Sequence, residues 1–137
     1  MISGIVDFKS NHKAYISHDL IFLNRNITFC SEDYRNLVIG HDFISIHDDK
    51  NCEAKYSETE ESLSLSCGNS ENAVMYYTFI GTCLVFSGEI KDIIQKCRDI
   101  INDNSITTQK LSDVLKSIVT MNPGDKVIYT EKGLICL

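Results

Sequence analysis

The chain has 137 residues, of which 43% are apolar and 23% charged, with a formal charge of −6. That length is typical of one domain able to bury roughly two thirds of its unfolded surface, and the composition excludes an intrinsically disordered chain. No apolar run approaches the roughly 18 residues of a membrane span, and no basic stretch or signal-peptide core opens the sequence, so a single domain, 1–137, in the cytoplasm is expected, without a membrane partner.

In chain order, Ile2 to Phe8, Ala14 to Leu23 and Leu37 to Ile46 are rich in β-branched and aromatic residues and predict strands, with a turn at Asn24-Arg25-Asn26. Residues 48–62 are dominated by Asp, Glu, Lys, Asn and Ser and predict a solvated acidic loop. Alternating Leu and Ser over Leu63 to Cys67 predict a strand, and Ala73 to Ile80 with Cys83 to Phe86 predict a hairpin about Gly81-Thr82.

The period then changes. Ile90, Ile93, Ile94, Cys97 and Ile101 share one face of a helix over 87–101, with Ser87 as its expected cap. Leu111, Val114, Leu115 and Ile118 repeat the spacing and predict a second amphipathic helix over about 108–120, capped by Thr107 or Thr108 and ended before Asn122-Pro123. Lys126 to Thr130 and Leu134 to Leu137, about the turn Glu131-Lys132-Gly133, predict a last hairpin. Strands, two consecutive helices, then strands again predict an α+β fold with a mostly antiparallel sheet and helices on one face.

Six cysteines stand 14 to 39 residues apart without a CxxC pair, which excludes the usual zinc spacing and predicts reduced core thiols, as at Cys83 and Cys97. No cofactor is expected, because glycine-rich phosphate loops, a GxSxG elbow and the calcium-loop carboxylate spacing are all missing from the sequence. His41 and His47, taken as members of one strand, would lie about 20 Å apart and cannot chelate one ion. His18-Asp19 and His47-Asp48 point to opposite strand faces, which predicts surface or structural histidines. In an alternating strand, Tyr76 and Tyr77 send one ring to the core and one to the surface.

Seven acids and two lysines between Asp48 and Glu71 hold most of the net charge. They disfavour nucleic acid and form a candidate docking surface for a basic protein at Asp48, Asp49, Glu58, Glu60 and Glu61.

Tyr76 to Ile94, YYTFIGTCLVFSGEIKDII, resembles a segment of asparagine-synthetase-type glutamine amidotransferase domains that runs approximately LYY…G…L.FASEIKAL. NPGDKVIYTEKGL, from Asn122 to Leu134, resembles the hairpin that follows in that family, and Ser3-Gly4-Ile5-Val6 resembles its opening Cys-Gly-Ile-Val. The likeness covers the last sixty residues and the first eight. It implies two facing antiparallel sheets flanked by helices, as in the N-terminal-nucleophile fold.

The family's nucleophile uses its own α-amino group as base, and here Met1 and a bulky Ile2 precede Ser3. The family's Arg-His-Arg-Gly-Pro-Asp, Asn-Gly-Glu and Ser-Gly-Gly-x-Asp-Ser stretches are missing as well. The resemblance therefore implies a shortened, catalytically silent relative, comparable to the domain ahead of the synthetase module in lasso-peptide cyclases, with an ATP-dependent amide-forming enzyme as its protein partner. An acidic immunity-type inhibitor of a basic toxin is the alternative expectation, and a hydrolase using Ser3 after processing is a third.

Overall fold

Apolar residues alternate along β1 (Ile2–Asp7), where Ile2 and Val6 enter one core while Ile5 packs into another on the opposite face. A strand buried on both faces belongs to a central layer. The computed structural model describes residues 1–8, 20–23, 26–32, 34–102 and 110–137. His18, the segment 14–19, Asn24-Arg25, Thr107 and Thr108 lie outside the described residues.

β1 is followed by β2 (Leu20–Leu23), β3 (Ile27–Ser31), β4 (Leu37–Ile39), β5 (Phe43–His47), β6 (Glu53–Ser57), β7 (Ser62–Ser66), β8 (Met75–Ile80) and β9 (Cys83–Ser87). Then come α1 (Ile90–Asn102), α2 (Leu111–Lys116), β10 (Val119–Met121), β11 (Lys126–Thr130) and β12 (Gly133–Cys136). They build two six-stranded antiparallel sheets: β10-β8-β9-β1-β3-β2, called sheet A, and β12-β11-β7-β6-β5-β4, called sheet B.

The sheets meet face to face. Ile2, Val6, Phe29, Met75, Tyr77, Leu84 and Phe86 of sheet A pack against Ile44, Ile46, Ala54, Tyr56, Leu63, Leu65, Val127 and Tyr129 of sheet B. On the other side of sheet A, Ile5, Tyr76, Ile80 and Val85 receive Ile93, Cys97 and Ile100 of α1 and Val114 of α2. The layers are thus helices, sheet A, sheet B. The outer face of sheet B presents Glu53, Lys55 and Ser57 from β6 and Ser62, Ser64 and Ser66 from β7, a polar set suited to water. Among the described residues helices therefore flank sheet A alone, whereas the resemblance implies helices flanking both sheets.

Several local expectations need correction. Residues 48–62 are not one loop: the alternation of Ala54 and Tyr56 inward with Glu53, Lys55 and Ser57 outward makes β6, and solvated turns remain only on either side. Leu37 to Ile46 is a hairpin, not one strand, because Gly40 N–H bonds back to the Phe43 carbonyl and reverses the chain. Ile27–Ser31 is an additional fully buried strand.

α1 begins at Ile90 instead of 87. Its first hydrogen bond runs from Ile93 N–H to the Glu89 carbonyl, and Ser87, still in β9, accepts from Glu89 N–H at 3.1 Å in the turn that leads in. α2 covers six residues, not 108–120. Ser117 closes it, with its Oγ donating to the Val114 carbonyl, and the β-branched run that follows pairs with β8 as the edge strand β10.

Candidate functional site

The N-terminal end of β1, the β5–β6 turn, the β7–β8 connection and the entry to α1 converge on one cleft of about 230 Å³. Met1, Asp48, Asp49, Lys50, Asn72, Val74, Gly88 and Glu89 line it. It is built from both sheets and the helical layer. Ile2 carbonyl accepts from Gly88 N–H at 3.0 Å, which ties the start of β1 to the start of α1, and the Met1 sulfur lies 3.6 Å from Ser87 Oγ.

On the opposite wall Asp48 is only 9% exposed. Its Oδ1 accepts from Lys50 N–H at 2.9 Å and Cys52 N–H at 3.0 Å, so this carboxylate organises a tight turn completed by Asn51 in the left-handed region at φ 63°. Gly68 has to be glycine beside this turn, since a Cβ there would strike the Lys50 carbonyl. Asp49 and Lys50 are exposed and present one charge of each sign to the cleft.

Ser3 is not in that lining. It is 1% exposed, pairs with Cys30 on β3 and Ser87 on β9, and its Oγ has no hydrogen-bond partner among the described residues. No acid or base is therefore hydrogen-bonded to the hydroxyl to activate it. The preceding residue, Ile2, is 0% exposed and sits in the core between the sheets, opposite Ser31. Freeing the α-amino group of Ser3 would remove that core side chain. The glycine of the Ser3-Gly4-Ile5-Val6 motif has a packing reason of its own: a Cβ on Gly4 would meet the Thr28 carbonyl and the Phe86 ring.

The acidic candidates separate into two places. Asp48 and Asp49 precede β6, whereas Glu58, Glu60 and Glu61 follow it in the exposed β6–β7 turn, about 17 Å away along the strand. Asp48 is occupied structurally, Asp49 is exposed at the cleft, and Glu58, Glu60 and Glu61 form a separate exposed acidic tip. In that tip Ser57 Oγ accepts from Glu60 N–H, and Glu61 adopts φ 47°.

His41 is exposed in the β4–β5 turn and His47 ends β5 opposite Glu53, so they do not share a strand as expected. Tyr77 lies in the inter-sheet core and Tyr76 packs against the helical side, so neither ring has the surface placement expected of one of them. Cys30, Cys52, Cys67, Cys83 and Cys97 are buried free thiols, and Cys136 is an exposed one. Burial pushes the Cys97 thiol up to about 12, and burial with the adjoining Asp7 carboxylate pushes Cys83 up as well. Among the described residues no group of three or more His, Cys, Asp or Glu side chains is placed to hold a metal ion, and no helix is long and apolar enough to cross a membrane.

No protein-family model matches the chain, and no curated protein matches it either. One relationship escapes the sequence altogether: Cys52 and Cys67 lie with their sulfurs 3.9 Å apart beside the cleft. With 48–62 taken as a loop, nothing brings them together, although the alternation in 53–57 and 62–66 carries the register.

Proposed function

We infer that the chain is a non-catalytic, amidotransferase-like domain of the cytoplasm that binds a protein partner, and that the partner is an ATP-dependent, amide-forming synthetase. The observation that carries this is the placement of Ile2 and Ser3 in the middle of sheet A. The segment resembling the nucleophile of the amidotransferase family is held as an interior strand, its serine buried outside the cleft lining and its neighbour Ile2 committed to the core. The pair of facing sheets, with the final hairpin in one and the Ser87-to-α1 segment against the other, supports the same architecture.

Partner binding draws support from the rims of sheet B. β4 and β12 are edge strands without a charged residue, and they expose Val38 and Ile39, and Ile135 with neighbouring Leu137. Uncharged edges with exposed apolar side chains pair readily with other chains unless something covers them.

The exposed tip Glu58, Glu60 and Glu61 favours a second function, neutralisation of a basic toxin through charge complementarity. One experiment separates the two. Tagged protein is recovered from its host lysate at low and at high salt, and the co-purifying proteins are identified. A synthetase retained at high salt supports the first function, and a basic protein released by salt supports the second. Recovery of neither overturns both.

A further inference from the structure

Cys52 and Cys67 stand one step beyond the β6–β7 pair Glu53 and Ser66, directly opposite each other, with Sγ atoms 3.9 Å apart. Their backbone groups point away from one another. Cys52 donates its N–H to Asp48 Oδ1 and accepts from Asp48 N–H at its carbonyl, while Cys67 donates to the Asp125 carbonyl and accepts from Gly124 N–H. That is the non-hydrogen-bonded type of antiparallel pair, in which Cα atoms approach to about 4.5 Å, within the span a disulfide bridges.

We propose that Cys52 and Cys67 are a reversible oxidation site that forms an internal disulfide by exchange with a small disulfide of the glutathione type. Cys67, 5% exposed against 0% for Cys52, is the entry point. Its thiolate attacks one sulfur of the small disulfide, breaking that S–S bond and releasing one thiolate, and a mixed disulfide remains on Cys67. The Cys52 thiolate then attacks Cys67 Sγ and expels the second small thiolate. Two electrons pass from the protein to the small disulfide, and the two protons lost by the cysteines are taken up by the two released thiolates or by solvent. Gly68 N–H, which donates to Cys52 Sγ at 3.3 Å, stabilises the resolving thiolate.

The bond would act on the cleft. Asp48, Asp49 and Lys50 stand just before Cys52 and line one wall, while Asn72 and Val74 stand just after Cys67 and line another. Closing the disulfide fixes both walls to each other. Burial, helped by the neighbouring Cys52, pushes the Cys67 thiol up to about 12.

The test uses the full chain and a Cys136→Ser variant that removes the exposed thiol. Each is incubated with oxidised glutathione at mildly alkaline pH, unfolded in denaturant containing iodoacetamide and digested without reductant. The expected result for the Cys136→Ser variant is an intact mass, read before alkylation, about 2 Da below that of the reduced protein, with a single cross-linked peptide joining Cys52 to Cys67 and a rise in Tm of several degrees that dithiothreitol reverses. A Cys52→Ser variant should instead accumulate glutathione on Cys67. Full alkylation of both Cys52 and Cys67 after prolonged oxidation, or a disulfide between other cysteines, overturns the proposal.

Discussion

Lys96, 3% exposed, places its ammonium 3.0 Å from Asp92 Oδ1 one turn earlier on α1, while the other oxygen of Asp92 is buried without a hydrogen-bond partner among the described residues. A pair with one buried member recovers little net stability, since desolvation offsets most of the attraction, but removing Asp92 strands the buried Lys96 charge. Asp92→Ala should cost about 3 kcal/mol in urea unfolding, whereas Asp92→Leu combined with Lys96→Leu should return to within about 1 kcal/mol of the parent. Equal losses in the single and double variants would contradict this account of the pair.

Gly4 is a packing glycine. Because a Cβ at this position meets the Thr28 carbonyl and the Phe86 ring, Gly4→Ala should destabilise by about 1–3 kcal/mol, read as a lower urea midpoint at unchanged m-value. Trimming the ring with Phe86→Leu in the same chain should recover part of the loss. A Gly4→Ala protein as stable as the parent would show that this approach is looser than the geometry states.

Ser3-Gly4-Ile5-Val6 is held by burial at Ser3 and close packing at Gly4, neither of which its sequence reports, and it shows where sequence legibility ends. Strands such as Leu63 to Cys67 are legible because strict alternation reports one buried face, and the Cys83 and Lys126 hairpins because Gly81 and Gly133 supply positive φ at the reversals. Residues 53–57 are not: Glu53, Lys55 and Ser57 face solvent, and the two apolar residues between them are too few to stand out from the acidic turns. The second helix is overextended for the opposite reason, since Ile118 continues the helical spacing in sequence while the backbone has already turned at Ser117 into β10. The cleft depends on four segments distant in sequence and is legible from none of them alone.

Glu61 holds φ 47° in the exposed β6–β7 turn, a left-handed conformation that costs a side-chain-bearing residue about 1 kcal/mol. Glu61→Gly should therefore raise stability by at most about 0.5 kcal/mol, after the entropy that glycine gains in the unfolded chain is set against the relief. The same variant removes one charge of the acidic tip. If that tip docks a basic toxin, affinity should fall and salt sensitivity weaken while Tm rises. A loss of both stability and affinity would mean that the turn is held by the Glu61 side chain instead.

The buried thiols set an alkaline limit. Burial raises Cys97 from 9.0 to about 12, so the protonated thiol is favoured in the folded state. The stability it contributes is complete below pH 9, declines as the unfolded thiol ionises above that value, and is lost by about pH 12. At pH 10.5 the loss relative to pH 8 should approach about 2 kcal/mol from this group, and Cys97→Ala should show a correspondingly flatter dependence in paired urea titrations. A parent and variant with parallel pH profiles would contradict the assignment.

Central to the proposed function is binding without catalysis, with Ser3 held in an interior strand. It is tested most directly by preparing the protein with Ser3 as its first residue and measuring both its stability and ammonia release from glutamine. Loss of Ile2 from the core should cost about 2–5 kcal/mol and yield no glutamine hydrolysis above that of a Ser3→Ala control. A stable shortened protein that hydrolyses glutamine, with activity abolished by Ser3→Ala, would contradict the account.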